Sequence, residues 1–266
     1  MTQELLYGVN TVLSLLKYNA GKRKIFEIII NQKKRKSPRF HEIITEASKK
    51  SIPVQELDAK SVLNILKNSA DAVALNKVNI PGDQGVIARV SEYNYSDLDH
   101  DIENTLDENS ILVILDGITD VGNFGSILRN CSAFGVSGVI VPKRRSVEAN
   151  SRLSKISSGA YEEIKIYRVT NIVRTIEKLQ KNRFWIFGTT LNKGNEIKDA
   201  AGIKYLFPLA IVFGSEERGM HDLVEKSCDF LIRIQMSGRM QSLNVATASG
   251  IFLYILRRFQ KTNKTK

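Results

Sequence analysis

Three short segments in the second half of the chain combine polar, charged and glycine residues of the kind that can hold a ligand. The first is Asp116–Arg129, holding Asn123, Gly125 and Arg129. The second is Gly214-Ser-Glu216-Glu-Arg-Gly219. The third runs from Ile234-Gln-Met236 to Ser242-Leu243-Asn244-Val245-Ala246. A guanidinium stays protonated in proteins, so Arg129 is a fixed positive charge. Asparagine side chains orient ligands, and a carboxylate holds donors in place. Each segment alone also reads as an ordinary connection: a capping asparagine with a surface arginine, a charged two-glycine loop, a helix cap. Two common phosphate-binding signatures, G-x-G-x-x-G and the Walker loop, are missing.

The segments stand where ligands bind in parallel α/β sheets, beyond the carboxyl ends of strands. Ile111–Leu115, Leu209–Phe213 and Phe230–Ile234 are apolar runs of the kind buried on both faces of such a sheet. Val139–Val141 and Phe184–Phe187 read as further strands. Helical patterns cover Ile127–Phe134, Val173–Gln180, Leu223–Ser227 and Val245–Phe259. On this reading Asn123 and Gly125 lie in a loop, with Arg129 about one helical turn further on. The first ninety residues alternate too. A helix follows Asn10, strands cover Phe26–Ile30, Pro53–Leu57 and Val86–Val90, and a helix covers Phe40–Lys50. That alternation predicts a small α/β layer domain.

Charge divides the chain. Residues 1–90 carry 15 basic and 8 acidic side chains, residues 91–109 carry 7 acidic and no Lys or Arg, and residues 110–266 carry 24 basic and 13 acidic. The acidic stretch reads as a linker between two basic domains. A net charge of +11 over 266 residues favours a polyanionic partner such as nucleic acid. Lys33-Lys34-Arg35-Lys36 with Arg39, and Lys143-Arg144-Arg145 after a strand, are candidate phosphate contacts. Either run also reads as a solvated face. The longest apolar stretch, Leu206–Phe213, falls far short of the roughly 20 residues of a membrane span. The first residues lack a basic leader, and two cysteines with three histidines show no metal-ligand spacing, so a reducing cytoplasm and no metal are expected.

Taken together, in this order and spacing, the three segments resemble the signature motifs of the SpoU/TrmH family of RNA ribose 2′-O-methyltransferases, in the SPOUT superfamily. The matches are Asn123-x-Gly125-x-x-x-Arg129, Gly214-x-Glu216-x-x-Gly219, and Ile234-x-Met236 with Ser242-Leu243-Asn244-Val245-Ala246. Ser157-Ser158-Gly159-Ala160 also looks like a family segment, and Tyr7-Gly8-x-Asn10-x-Val12 like the start of the family's small L30e-like domain. The chain departs at Val121 and Gln235, where the family commonly has proline.

The resemblance implies an α/β protein: an L30e-like RNA substrate-binding domain over 1–90, a linker over 91–109, and a SPOUT methyltransferase domain over 110–266 with a trefoil knot. It implies S-adenosylmethionine as cofactor, held by Gly214, Ile234, Met236 and Leu243. Arg129, Asn123, Glu216, Ser242 and Asn244 would form the catalytic cluster, Glu216 pairing with Arg129 or holding the third segment. It further implies a homodimer acting on a guanosine ribose of 23S rRNA. The alternatives are the same chemistry on tRNA, and a non-catalytic RNA-binding protein of the same fold.

Overall fold

The structure, a computed structural model, describes residues 3–19, 21–68, 85–144, 146–147, 151–192, 197–239 and 241–264. The chain forms two compact units, Met1–Asn94 with Glu148–Glu163, and Tyr95–Val147 with Ile164–Lys266.

The first unit is built on a four-stranded mixed sheet of β1 (Gln3–Tyr7), β2 (Ile25–Asn31), β3 (Val54–Leu57) and β4 (Val86–Ser91), in the order β1-β4-β2-β3. Alternate residues face opposite sides of a strand. Leu6, Ile28, Ile30, Val86, Ala88 and Val90 therefore meet α1 (Val9–Tyr18) and α2 (Pro38–Lys49) on one face. Tyr7, Ile29 and Ile87 meet α3 (Ala59–Lys67) on the other.

This unit also contains α6 (Ser151–Ile156) and α7 (Ala160–Glu163), a stretch that the sequence leaves inside the second domain. Buried charge explains the placement. Arg23 and Glu162 are both fully buried, with Nε to Oε2 at 3.3 Å, and Arg23 also reaches Glu4 at 2.7 Å. Lys22 Nζ donates to the Glu162 carbonyl and Ser154 Oγ to its Oε1. Gly159, at φ +91°, lies where a β-carbon would come within 2.7 Å of Ser14 Cβ on α1. The Ser157–Ala160 segment is thus shaped for packing on α1.

The second unit carries a seven-stranded, all-parallel sheet in the order β7-β6-β5-β10-β8-β11-β9. Its strands are β5 (Ile111–Asp116), β6 (Gly138–Pro142), β7 (Ile166–Val169), β8 (Trp185–Thr189), β9 (Lys198–Asp199), β10 (Leu209–Gly214) and β11 (Phe230–Arg233). β5 and β10 are buried at every residue, as their unbroken apolar runs require. Leu112, Ile114, Ala210 and Val212 pack on α4 (Leu98–Asn104), α8 (Ile172–Lys181) and α9 (Asp222–Lys226). On the opposite face, α10 (Val245–Lys264) packs against α5 (Val121–Ala133). The Phe252 ring meets Phe213 of β10 at 5.9 Å.

Part of the acidic stretch 91–109 is ordered structure rather than a loose connector. Asp97 caps α4, and Leu98 enters the core. Asp101 is buried, accepting from Lys165 Nζ, Tyr167 Oη and Thr105 Oγ1, each at 2.8 Å. Such a triply held carboxylate anchors a helix that composition alone marks as solvated.

Candidate active site

The sheet order reverses direction beside β5. β6 and β7 extend one way from it, while β10 lies on its other side, between β5 and β8. Crevices at such reversals are the usual ligand sites of parallel sheets. Three connections meet there.

The first follows β5. Asp120 caps α5, its Oδ1 accepting from the Asn123 backbone N–H at 2.7 Å. The helix therefore starts six residues earlier than its apolar pattern suggests, and Asn123 and Gly125 lie in its first turns rather than in a loop. Val121 is the first helical residue, the position where proline is at home, so either residue serves there.

The second follows β10. Ser215 and Gly219 pair by two backbone hydrogen bonds of 2.9 Å, closing a tight loop with Gly219 at φ +69°. A β-carbon at Gly214 would overlap the carbonyl carbon of Gly219 and the amide nitrogen of Met220. The first glycine is thus required by the loop's own return, and the two-glycine spacing sets the loop that presents Glu216. The far end is fastened by Asp116, a buried carboxylate ending β5. It accepts from the His221 backbone N–H at 2.7 Å and lies 2.9 Å from His221 Nδ1.

The third follows β11. Asn244 caps α10, its Oδ1 accepting from the N–H groups of Ala246 and Thr247. Its Nδ2 donates to Asn123 Oδ1 at 2.9 Å and to Glu216 Oε1 at 2.5 Å. Glu216 Oε1 also accepts from the Val245 N–H at 3.3 Å. A carboxylate at this helix N-terminus is electrostatically favoured. Asn123, Glu216 and Asn244 are thereby linked, one from each connection.

Two expected members stand apart. Arg129 is exposed and has no hydrogen-bond or ion-pair partner among the described residues. Six residues beyond Asn123, it lies about 9 Å further along α5 and about 120° around it. Glu216 holds the third connection instead of pairing with it. Ser242 is likewise exposed without a partner among the described residues.

Gly214 is buried, and Ile234, Met236 and Leu243 are half-buried. Between Ile234 and Leu243 no backbone–backbone hydrogen bond forms among the described residues. Half-buried apolar side chains beside free peptide groups fit an adenosyl cofactor, whose base needs apolar cover and polar edge contacts. Lys143 and Arg144 are exposed just beyond β6, at the same sheet edge, while Arg145 lies outside the described residues. In the first unit, Lys33, Arg35 and Lys36 are exposed, Lys34 is half-buried, and Arg35 pairs with Glu56 at 2.9 Å.

Sequence reasoning passes over Asp116, Asp120 and His221. An aspartate closing an apolar strand signals a buried polar group in need of partners. Asp120 stands at cap spacing before Asn123. Nothing in the sequence marks His221.

The SpoU rRNA methylase family model matches residues 110–254, and the model for RNA 2′-O ribose methyltransferase substrate binding matches residues 5–71. A Staphylococcus aureus (strain COL) protein described under the TrmH family of tRNA/rRNA methyltransferases is 38% identical over 228 residues, covering 85% of this chain and 86% of its own. A similarly described protein of Bacillus subtilis (strain 168), YacO, is 33% identical over 257 residues, covering 96% and 95%. Among solved structures, the SpoU methyltransferase AviRb of Streptomyces viridochromogenes, in complex with AdoMet, shares the fold. Its TM-score is 0.74 at 21% identity, over 98% of this chain and 91% of that one. So does an AdoMet-bound rRNA methyltransferase of Sinorhizobium meliloti, with a TM-score of 0.71 at 23% identity, over 96% and 87%.

Proposed function

Because the chain belongs to the SpoU/TrmH family of methyltransferases, we propose that it methylates a ribose 2′-hydroxyl of RNA, with a guanosine of 23S rRNA as the target. S-adenosylmethionine is the family's methyl donor and supplies an electrophilic methyl group at its sulfonium. Residues 1–90 bind the RNA, and residues 110–266, apart from the segment packed on the first unit, carry the chemistry. The SPOUT trefoil knot belongs to this reading; the placement of β10 between β5 and β8 is consistent with it.

The observation that carries the proposal is the Asn123–Asn244–Glu216 linkage at the sheet's point of reversal. It holds three connections in one arrangement, and orientation of reacting groups can contribute about 7–11 kcal/mol to lowering a barrier. Gly214, Ile234, Met236 and Leu243 flank the adenosyl group. Arg129, always charged and without a partner among the described residues, is available to the 2′-oxygen or the adjoining phosphate. Ser242 lies two residues before Asn244 and takes a hydrogen bond from the bound nucleotide. Lys143, Arg144 and Arg145 contact phosphates at the same edge. The enzyme works in the cytoplasm as a homodimer and uses no metal. Tyr254, exposed on α10 beside Phe134, suits burial against a second copy.

The test is methyl transfer from labelled S-adenosylmethionine to unmodified 23S rRNA, 16S rRNA and tRNA, with the product nucleoside identified by mass spectrometry. 2′-O-methylguanosine from 23S rRNA alone is the expected result. Product from tRNA alone would move the target, and no product from any of the three would overturn the proposal.

A further inference from the structure

Asp116 and His221 form a pair at the carboxyl end of the parallel sheet. His221 Nδ1 lies 2.9 Å from both carboxylate oxygens of Asp116, which is buried at the end of β5. The His221 backbone N–H donates to the same carboxylate at 2.7 Å, so the residue is held at two points. A carboxylate at Nδ1 keeps the proton of a neutral imidazole there and leaves Nε2 as an acceptor. The side chain is 56% exposed, and Nε2 has no partner among the described residues.

The ring stands where the first two connections leave the sheet. Asp116 is paired with Gly214 across β5 and β10. A β-carbon at Gly117 would lie 3.7 Å from His221 Cε1 and 3.7 Å from Ser215 Cβ. The ring edge next to Nε2 therefore adjoins Gly117 and shares that neighbour with Ser215, the residue before Glu216.

A ribose hydroxyl is a weak nucleophile until its proton has somewhere to go. At this end of the sheet Arg129 and Arg144 are cations without an acceptor. Glu216 is engaged with Asn244 and the Val245 N–H. Imidazole ordinarily titrates near neutral pH, so it can take a proton and release it again within one cycle. The charged groups on the elements around the ring are Asp116, then Glu216, Glu217 and Arg218 of the loop after β10, and Asp222 and Glu225 of α9. Among the described residues only Asp116 bonds to the ring.

We infer that His221 Nε2 takes the proton of the ribose 2′-hydroxyl during methyl transfer, with Asp116 as the positioning residue that fixes the ring and its tautomer. The oxygen bonds to the methyl carbon as the carbon–sulfur bond breaks and its electron pair stays on sulfur. The hydroxyl proton passes to Nε2, and water later takes it from the imidazolium. The inference rests on the proposed ribose methylation and adds its proton acceptor.

Two readouts test it. Nitrogen-15 NMR of the unliganded protein, with the His221 signals identified by their loss in His221→Gln, should show neutral His221 protonated at Nδ1. Asp116→Asn still offers an oxygen to the backbone N–H but turns an amide N–H toward Nδ1, so it should move that proton to Nε2. Methyl transfer is followed against pH. Parental kcat/KM should rise with pH to a plateau, with its midpoint at that of the His221 titration in the free protein. His221→Gln and Asp116→Asn should each lower the plateau by about a hundredfold or more, and His221→Gln should lose the midpoint. His100→Gln, which changes an exposed ring on α4, should keep turnover within about twofold. Should Asp116→Asn fail to fold, His221→Gln alters an exposed side chain and carries the test alone. A neutral parental His221 protonated at Nε2, or an unaltered pH midpoint in His221→Gln, would each overturn the inference. Turnover of His221→Gln within a few-fold of an active parent would also overturn it and leave the proposed function standing. A parent that methylates no RNA would sink the proposed function and the inference with it.

Discussion

Asn244 holds Asn123 with one end of its carboxamide and caps α10 with the other. The Nδ2 lies between two acceptors, Asn123 Oδ1 and Glu216 Oε1, while the Oδ1 faces two backbone amides. Turning the amide over would set acceptor against acceptor and donor against donor. A helix cap and a bond between two loops are therefore the same side chain, and neither role explains it alone.

Two substitutions separate those roles. Asn244→Asp keeps the capping oxygen but removes the donor and sets a second carboxylate beside Glu216. Turnover should fall about a hundredfold through misplacement of the connections, and repulsion from Glu216 should lower the thermal midpoint slightly although the cap is kept. Asn244→Ala also loses the cap, worth about 1 kcal/mol, or roughly 2–4 °C in a chain of this size. Methyl-transfer assays and calorimetric melting check both, and parental turnover in the aspartate variant would show that the link to Asn123 is dispensable.

Gly214→Ala forces a methyl group into the backbone of Gly219 and Met220. The loop must open, at a cost of about 3 kcal/mol. Denaturant unfolding should register that loss, and calorimetric titration should show S-adenosylmethionine affinity falling with it. A variant that unfolds at the parental denaturant concentration would mean that the loop yields easily.

Arg129→Ala touches no partner among the described residues. Its melting curve should overlay that of the parent, while methyl transfer drops by about a hundredfold or more, the usual loss when a charge-stabilising donor is removed. Turnover within a few-fold of the parent would remove Arg129 from the reaction.

Asp101 gives the second unit an acid-sensitive anchor. Burial raises the pKa of its carboxyl, but hydrogen bonds from Lys165, Thr105 and Tyr167 outweigh this and hold it below the ordinary value. The folded-state pKa thus lies beneath the unfolded value of about 3.9. The resulting stabilisation is complete above that value and is lost as pH falls through the folded pKa. Asp101→Asn should lower the melting midpoint at neutral pH and flatten its decline below about pH 4. Parallel decline in parent and variant would show that other carboxylates govern acid unfolding.

Strands β5 and β10 are legible because burial on both faces writes an unbroken apolar run. The start of α5 is not, because Asp120 begins it through one hydrogen bond that leaves no apolar trace. Helix α4 hides behind its acids; what anchors it comes from Lys165 and Tyr167, more than sixty residues away. Asn123, Glu216 and Asn244 are separated by 93 and 28 residues, so their meeting is visible beforehand only through the resemblance to a known family. His221 is recruited by Asp116 across 105 residues and has no local signature.

The fully buried Arg23–Glu162 pair governs how the gene can be cut. The chain passes between its two units three times, after Asn94, after Val147 and after Glu163. A truncation at the acidic stretch would look natural by charge, yet it would strip the N-terminal fragment of Glu162. Arg23 and Lys22 would then be left buried or forced into water, and the C-terminal fragment would trail Leu153 and Tyr161 with nothing to cover them. An intact first unit therefore requires residues 148–163 to travel with residues 1–94, so the unit that folds together is discontinuous in sequence.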